Sequence, residues 1–114
     1  MFYRRKLYKV KPDIVESFNS HFNTTLLPTQ QKYGTRLIGR WMIQYEEYTE
    51  IFAIWEYDSQ EDYEEIETKV RSDQAHIERV AAWYEKHGGR KNVMENYVLE
   101  IKNEAIQSTV LVNE

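Results

Sequence analysis

Cysteine is absent from the 114 residues, which excludes disulfides, thiolate nucleophiles and thiolate-ligated metals. The four glycines form no Gly-rich phosphate loop after a strand, and there is neither a His-Glu-x-x-His helix nor a Gly-x-Ser-x-Gly elbow. No apolar run approaches the ~20 residues of a membrane span. The first eleven residues alternate and carry Arg4, Arg5, Lys6, Lys9 and Lys11, where a secretory signal would need an apolar run of roughly 7–15 residues. The expected address is therefore the cytoplasm. Positive charge is also in short supply: the net charge is −4 and the cations are spread through every segment. Without a basic stripe to neutralise phosphates, a nucleic-acid partner is not expected.

What is present is one domain, residues 1–114, of ordinary globular composition. Its centre is the run Ile51-Phe52-Ala53-Ile54-Trp55-Glu56-Tyr57. Being almost wholly β-branched or aromatic, it reads as a central strand buried on both faces. Asp58-Ser59 ends it, and Ser59 offers an N-cap to a helix whose first turn holds Gln60, Glu61 and Asp62. Before this run, Phe2 to Val10 reads as a first strand whose cations lay their stems along apolar surface. Pro12 then opens a helix with Ile14, Phe18, Phe22 and Leu26 at spacing four. Pro28 interrupts that helix, and Gly34 stops it.

Arg36 to Tyr45 is a second strand, with a bulge or close backbone approach expected at Gly39. After the central strand come two helices. The first packs through Tyr63, Ile66 and Val70; the second is capped by Ser72 or Asp73, packs through Ile77, Val80, Ala81 and Tyr84, and ends at His87-Gly88-Gly89. Asn92 to Lys102 reads as the last main strand, and Ala105 to Val112 as a further short strand or an arm. The order strand, helix, strand, strand, helix pair, strand gives an α+β class fold. It is a ferredoxin-like split βαβ sheet with helices on one face, and a second copy of the chain is the simplest cover for the other.

Alternation assigns Trp41, Ile43 and Tyr45 to one face of the second strand, and Ala53, Trp55 and Tyr57 to one face of the third. The plain reading of these aromatics is core and dimer interface. The functional reading is a pocket for a small apolar or aromatic molecule, lined by Trp41, Trp55, Tyr57 and Tyr97, with Tyr8 and Trp83 as further candidates. No metal site and no obligatory cofactor are expected. The acidic run Glu61, Asp62, Glu64, Glu65 and Glu67 reads as a solvated helix face and not as an acid and base fixed across a cleft.

These residues resemble the NIPSNAP family, a branch of the dimeric α+β barrel proteins. Tyr3, Tyr8 and Lys11-Pro12 are similar to its opening pattern, Tyr33-Gly34 and Leu37-Ile38-Gly39 to its helix end and second strand, and Ile54-Trp55-Glu56-Tyr57-Asp58-Ser59 to its most characteristic run; Asp73 matches a further position. Lys6 stands where the family usually has Arg, Gln74 where Pro is common, and His76 where an aromatic residue is usual. The second helix carries Asp62, Tyr63 and Glu65 in place of arginines. The resemblance implies the fold and a homodimer, and no settled general activity.

The three histidines are the only side chains whose unperturbed pKa lies near neutrality. His21 reads as a helix-flank residue and His87 as a ring favoured at a helix C-terminus. His76, in a first helical turn, is expected to stay neutral and is the candidate base or ligand. Spacing places it on one face with Val80 and Trp83. Related dimeric barrel families include haem-degrading and cofactor-independent monooxygenases, and the resemblance therefore leaves open a small monooxygenase, with His76 as haem ligand in one version. The first strand lacks the Asn those enzymes typically carry.

Overall fold

The computed structural model describes residues 1–111. Four strands, β1 (Phe2–Val10), β2 (Arg36–Gln44), β3 (Thr49–Tyr57) and β4 (Val98–Ile106), form one antiparallel sheet in the order β2-β3-β1-β4. The helices lie on one face of it. This is the split βαβ, ferredoxin-like arrangement expected from the order of elements.

The first helical segment begins at Pro12–Ile14 as a 3-10 turn, runs as α1 (Val15–His21), widens into a π turn at Phe22–Leu26 and continues as α2 (Leu27–Lys32). Pro28 has no N–H to donate, and the chain absorbs this through the wider turn, in which Leu27 N–H reaches the Phe22 carbonyl. Such π turns are frequent at functional sites, and this one carries buried Phe22 and Thr25. Gly34, at φ 104°, supplies the stop.

After β3, α3 (Gln60–Arg71) starts with Ser59 accepting from Asp62 N–H at 3.1 Å, and α4 (Gln74–Lys86) with Asp73 accepting from His76 N–H at 3.0 Å. The cap of α4 is thus Asp73 and not Ser72. A short α5 (Arg90–Asn96) follows Gly88-Gly89. Here the expected strand over 92–102 is corrected: its first half is helical because Val93 turns into the core beside Val10 and Ile14, and pairing starts only at Val98. Ala105 and Ile106 complete β4, residues 107–111 have no regular structure, and Val112 of the expected arm lies outside the described residues.

Two apolar clusters fill the space between sheet and helices. Ala53, Trp55 and Tyr57 pack with Phe22, Ile66 and Val70, and Val10 and Ile51 pack with Ile14, Val15 and Val93. β3 therefore alternates. Ile51, Ala53, Trp55 and Tyr57 are buried under the helices, whereas Phe52 and Ile54 are only partly covered on the open face, so its expected burial on both faces does not hold within one subunit. No helix among the described residues is long and apolar enough to cross a membrane.

Register also shifts between Leu37 and Gly39, the bulge anticipated at that glycine. It reverses the faces beyond it. Leu37 sits opposite Trp55 under the helices, but Trp41 sits opposite Phe52 on the open face. Its indole lies over Gly39, where an added Cβ would come within 2.2 Å of the ring. Trp41 and Trp55 thus do not share a wall.

Candidate functional site

Between the helices and the sheet lies a cavity of about 470 Å³. Its floor is the inner face of the sheet, which registers in rows. Met42, Ile51, Tyr8 and Ile101 form one row; Arg40, Ala53, Lys6 and Asn103 the next; Leu37, Trp55, Arg4 and Ala105 the third. The middle row is polar on both sides of the smallest side chain, Ala53. Phe18, His21, Phe22 and Leu26 form one wall from the first helical segment, Tyr63, Glu67 and Val70 another from α3, and His76, Val80, Trp83 and Tyr84 the roof from α4. No residue of α4 is fully buried. A shallower groove on the outside of α4 shares Val70, Arg71, His76, Val80, Tyr84 and Arg90 with the cavity, which marks the side open to solvent.

The roof corrects one expectation. Ile77, on the anticipated packing stripe, is 41% exposed, and Ala81 also faces out. The helix is turned so that His76, Val80, Trp83 and Tyr84 look inward, the spacing of four and seven that linked His76 to Trp83.

Charge in the cavity is one-sided. Arg4, Lys6, Arg40, Arg71 and Arg90 line it, against the single acid Glu67. Among the described residues none of these five cations has a carboxylate oxygen within 4.0 Å. Arg4, Arg40 and Lys6 meet neutral groups instead. Arg4 donates to the Asn103 side chain and carbonyl and lies over the Tyr63 ring at 4.9 Å. Arg40 donates to Asn19 Oδ1 at 2.7 Å and lies over the Phe22 ring at 4.2 Å. Burial lowers the Arg40 guanidinium to about 10. The Lys6 ammonium lies 5.6 Å from the centre of the Tyr8 ring. Burial pulls Lys6 down, but Tyr8, Glu67 and Tyr84 together outweigh that and hold it above the ordinary lysine value. Lys6 is charged at neutral pH.

Two of the histidines converge around Trp83. The His21 ring stacks on the indole at a centroid distance of 4.7 Å, and the His87 ring lies 4.8 Å from it. Trp83 Nε1–H donates to Ser17 Oγ at 3.0 Å, and Ser17 meets His87 Nε2 at 2.7 Å. Ser17 thus joins the indole to the His87 ring, the direction of its bond to His87 following that ring's tautomer. His21 is buried rather than a flank residue, and desolvation, with smaller contributions from His76 and His87, lowers it to about 4.

His76 Nδ1 lies 2.9 Å from Thr29 Oγ1, whose own proton goes to the Thr25 carbonyl. Nδ1 must then be the donor, which leaves Nε2 as the acceptor nitrogen. Burial lowers His76 too, more than Asp73 raises it. No group of three His, Cys, Asp or Glu side chains that could hold a metal exists among the described residues.

Of the residues anticipated as a site, Tyr8, Trp55, Tyr57, His76 and Trp83 line this cavity. Trp41, 49% exposed, lies on the opposite face of the sheet, and Tyr97 packs in the core at the end of α5 and does not reach the cavity. Sequence reasoning missed Arg4, Lys6, Arg40, His21 and Tyr84. One signal for Lys6 was its place in the set Phe2, Arg4, Lys6, Tyr8, Val10, which shares a face and has apolar residues at both ends.

A family model, NIPSNAP, matches residues 3–112. Solved structures with similar folds include an uncharacterized NIPSNAP-like domain protein from Burkholderia xenovorans, with a TM-score of 0.72 at 18% identity over 99% of this chain and 89% of that one. A NIPSNAP family protein from Agrobacterium tumefaciens matches with a TM-score of 0.72 at 15% identity, covering 95% and 92%. A dimeric ferredoxin-like protein from an uncultured marine organism matches at 0.51 and 17%, covering 98% and 99%. No curated protein matches the sequence.

Proposed function

The chain belongs to the NIPSNAP family, and from that premise we propose that it is a homodimeric binding protein that houses a small, largely apolar or aromatic molecule between sheet and helices. The observation that carries this reading is the cavity of about 470 Å³ lined by Tyr8, Phe18, Trp55, Val80 and Trp83, within the size range of small-molecule sites. A well-packed domain of this size has no structural need for such a volume, because interiors normally close to crystal-like density. Pairing of two subunits draws support from the open face, where Trp41, Ile43, Phe52 and Ile54 are grouped around the buried Leu7. The structural neighbour described as dimeric supports it as well.

The uncharged fluorophore N-phenyl-1-naphthylamine tests the reading. Its emission is expected to rise and saturate at one molecule per subunit, and Val80→Trp, which fills the cavity from the roof, is expected to abolish the rise while circular dichroism stays unchanged. Absence of the rise, or its persistence in a folded Val80→Trp variant, contradicts the reading.

A second reading, a small monooxygenase, draws on one observation: His76 is a partly buried neutral imidazole with Nε2 left as an acceptor, as a general base or a metal ligand requires. The general-base version fits these residues better than haem does. Trp83, on the same face, is held by Ser17 and by stacking on His21, so a macrocycle would meet a rigid wall beside His76. Haem titration tests the haem version: a Soret shift lost in His76→Ala supports it, and no shift in the parent protein rejects it.

A further inference from the structure

We infer that the molecule taken up by the cavity is an organic acid, whose carboxylate docks at the Lys6 ammonium beside Tyr8 and Tyr84 while its apolar body lies toward Phe18 and Trp55. This rests on the reading of the cavity as a binding site and adds the chemical class of its occupant. The argument starts from position. β1 is a central strand between β3 and β4, and Lys6 leaves it on the covered face, directly beside Ala53, with Arg40 on the far side of that alanine. An interior row at the middle of a sheet is normally filled by apolar side chains, because taking a cation out of water is costly unless it is paired.

Lys6 and Arg40 are not paired. Carboxylates of this acidic chain meet cations on the outer face instead: Arg5 holds Glu104, Lys9 holds Glu100, and Arg36 holds both Glu56 and Asp58. Within the cavity Glu67 alone opposes five cations, and its carboxylate accepts from Gln30 at 3.2 Å. A cation kept charged, lining an aromatic cavity and left without a carboxylate is completed by an anion from outside. The body of that anion must suit apolar walls, so the ligand is amphipathic and not a bare inorganic ion. A carboxylate suits one ammonium beside tyrosines better than a polyphosphate does, since no glycine is among the described residues that line the cavity and would bring a run of backbone N–H groups against phosphates.

The test compares 2-naphthoate with 2-naphthamide, which differ in charge and hardly in shape, by isothermal titration calorimetry on the full chain at neutral pH. The acid is expected to bind at least about tenfold more tightly, the size of effect that one charge-assisted hydrogen bond supplies. Lys6→Met is expected to weaken the acid to the level of the amide and leave the amide where it was, and Lys6→Arg to keep the preference. Lys6→Gln, polar and uncharged, serves as the second variant if Lys6→Met does not fold. Equal affinity of acid and amide overturns the inference, as does an equal loss of both in Lys6→Met. Failure of both ligands to bind the parent protein overturns it too, and the N-phenyl-1-naphthylamine titration then tells whether the cavity binds anything at all.

Discussion

Neighbouring residues of β1 carry the same charge to opposite faces of the sheet, and the fold treats them differently. Arg5 and Lys9 point to the open face and meet Glu104 and Glu100 across the strand pair. Arg4 and Lys6 point under the helices and meet an amide, aromatic rings and a cavity. Cross-strand ion pairs of the first kind are a modest structural device. Cations of the second kind are half-buried and face a cavity without a carboxylate partner among the described residues, so their presence argues for a task outside folding. The open face is itself divided. Its β2 and β3 half presents Trp41, Ile43, Phe52 and Ile54, whereas its β1 and β4 half is laced with ion pairs.

The comparison can be broken most severely at its apolar anchor. Trp55, 7% exposed and packed on Phe22, is expected to cost ~3–5 kcal/mol when changed to alanine, the usual range for a large buried aromatic. Urea unfolding checks this, and a much smaller loss would mean that the ring lines empty space without supporting the fold.

A pH titration sharpens the contrast next. His21 has its folded-state pKa lowered to about 4, below the ordinary value near 6.5 for the unfolded chain. Between these values the unfolded state binds a proton that the folded state refuses, so stability rises with pH across that window and is lost as pH falls through it. The loss from pH 7 to pH 4 is about 2–3 kcal/mol, and His21→Phe is expected to flatten the slope. An unchanged slope in the variant would place the titration on other groups.

The open face gives the third test. Trp41→Glu puts charge in the middle of its apolar half and is expected to convert a sedimenting dimer into a monomer at micromolar concentration, with the far-ultraviolet circular dichroism unchanged. A monomer before the substitution, or a dimer after it, would remove this face as the subunit contact.

Much of the fold was legible in the sequence. The order of elements along the chain, the Ser59 cap, the glycine stops and the inner set Ala53, Trp55 and Tyr57 follow from alternation and capping chemistry, which act locally. Trp41 lies on the face opposite to the expected one because the bulge before Gly39 reverses every face beyond it; a glycine admits either a bulge or a close backbone approach, and only the first of these reverses the faces. Residues 92–96 carry no helical pattern in so short a run, and their helix is fixed by the packing of Val93 against Val10, Ile14 and Val15. On α4 Val80 and Tyr84 of the expected stripe face inward, whereas Ile77 and Ala81 face out; all four are apolar enough that the pattern alone does not place the edge of the stripe. The unpaired cations escaped notice for a different reason: snorkelling explains a charged strand residue equally well on either face, and only the register tells which side it occupies.

The smallest expected effect is also the most direct test of the central claim that the inner cations serve a ligand and not the fold. Arg5→Met and Lys6→Met, made separately in the full chain, are compared by urea unfolding without added ligand. Arg5→Met is expected to lose about 0.2–1 kcal/mol, as a partly exposed ion pair does, and Lys6→Met to lose nothing or gain stability as a desolvated charge is removed. A loss in Lys6→Met equal to or greater than that in Arg5→Met would contradict the account.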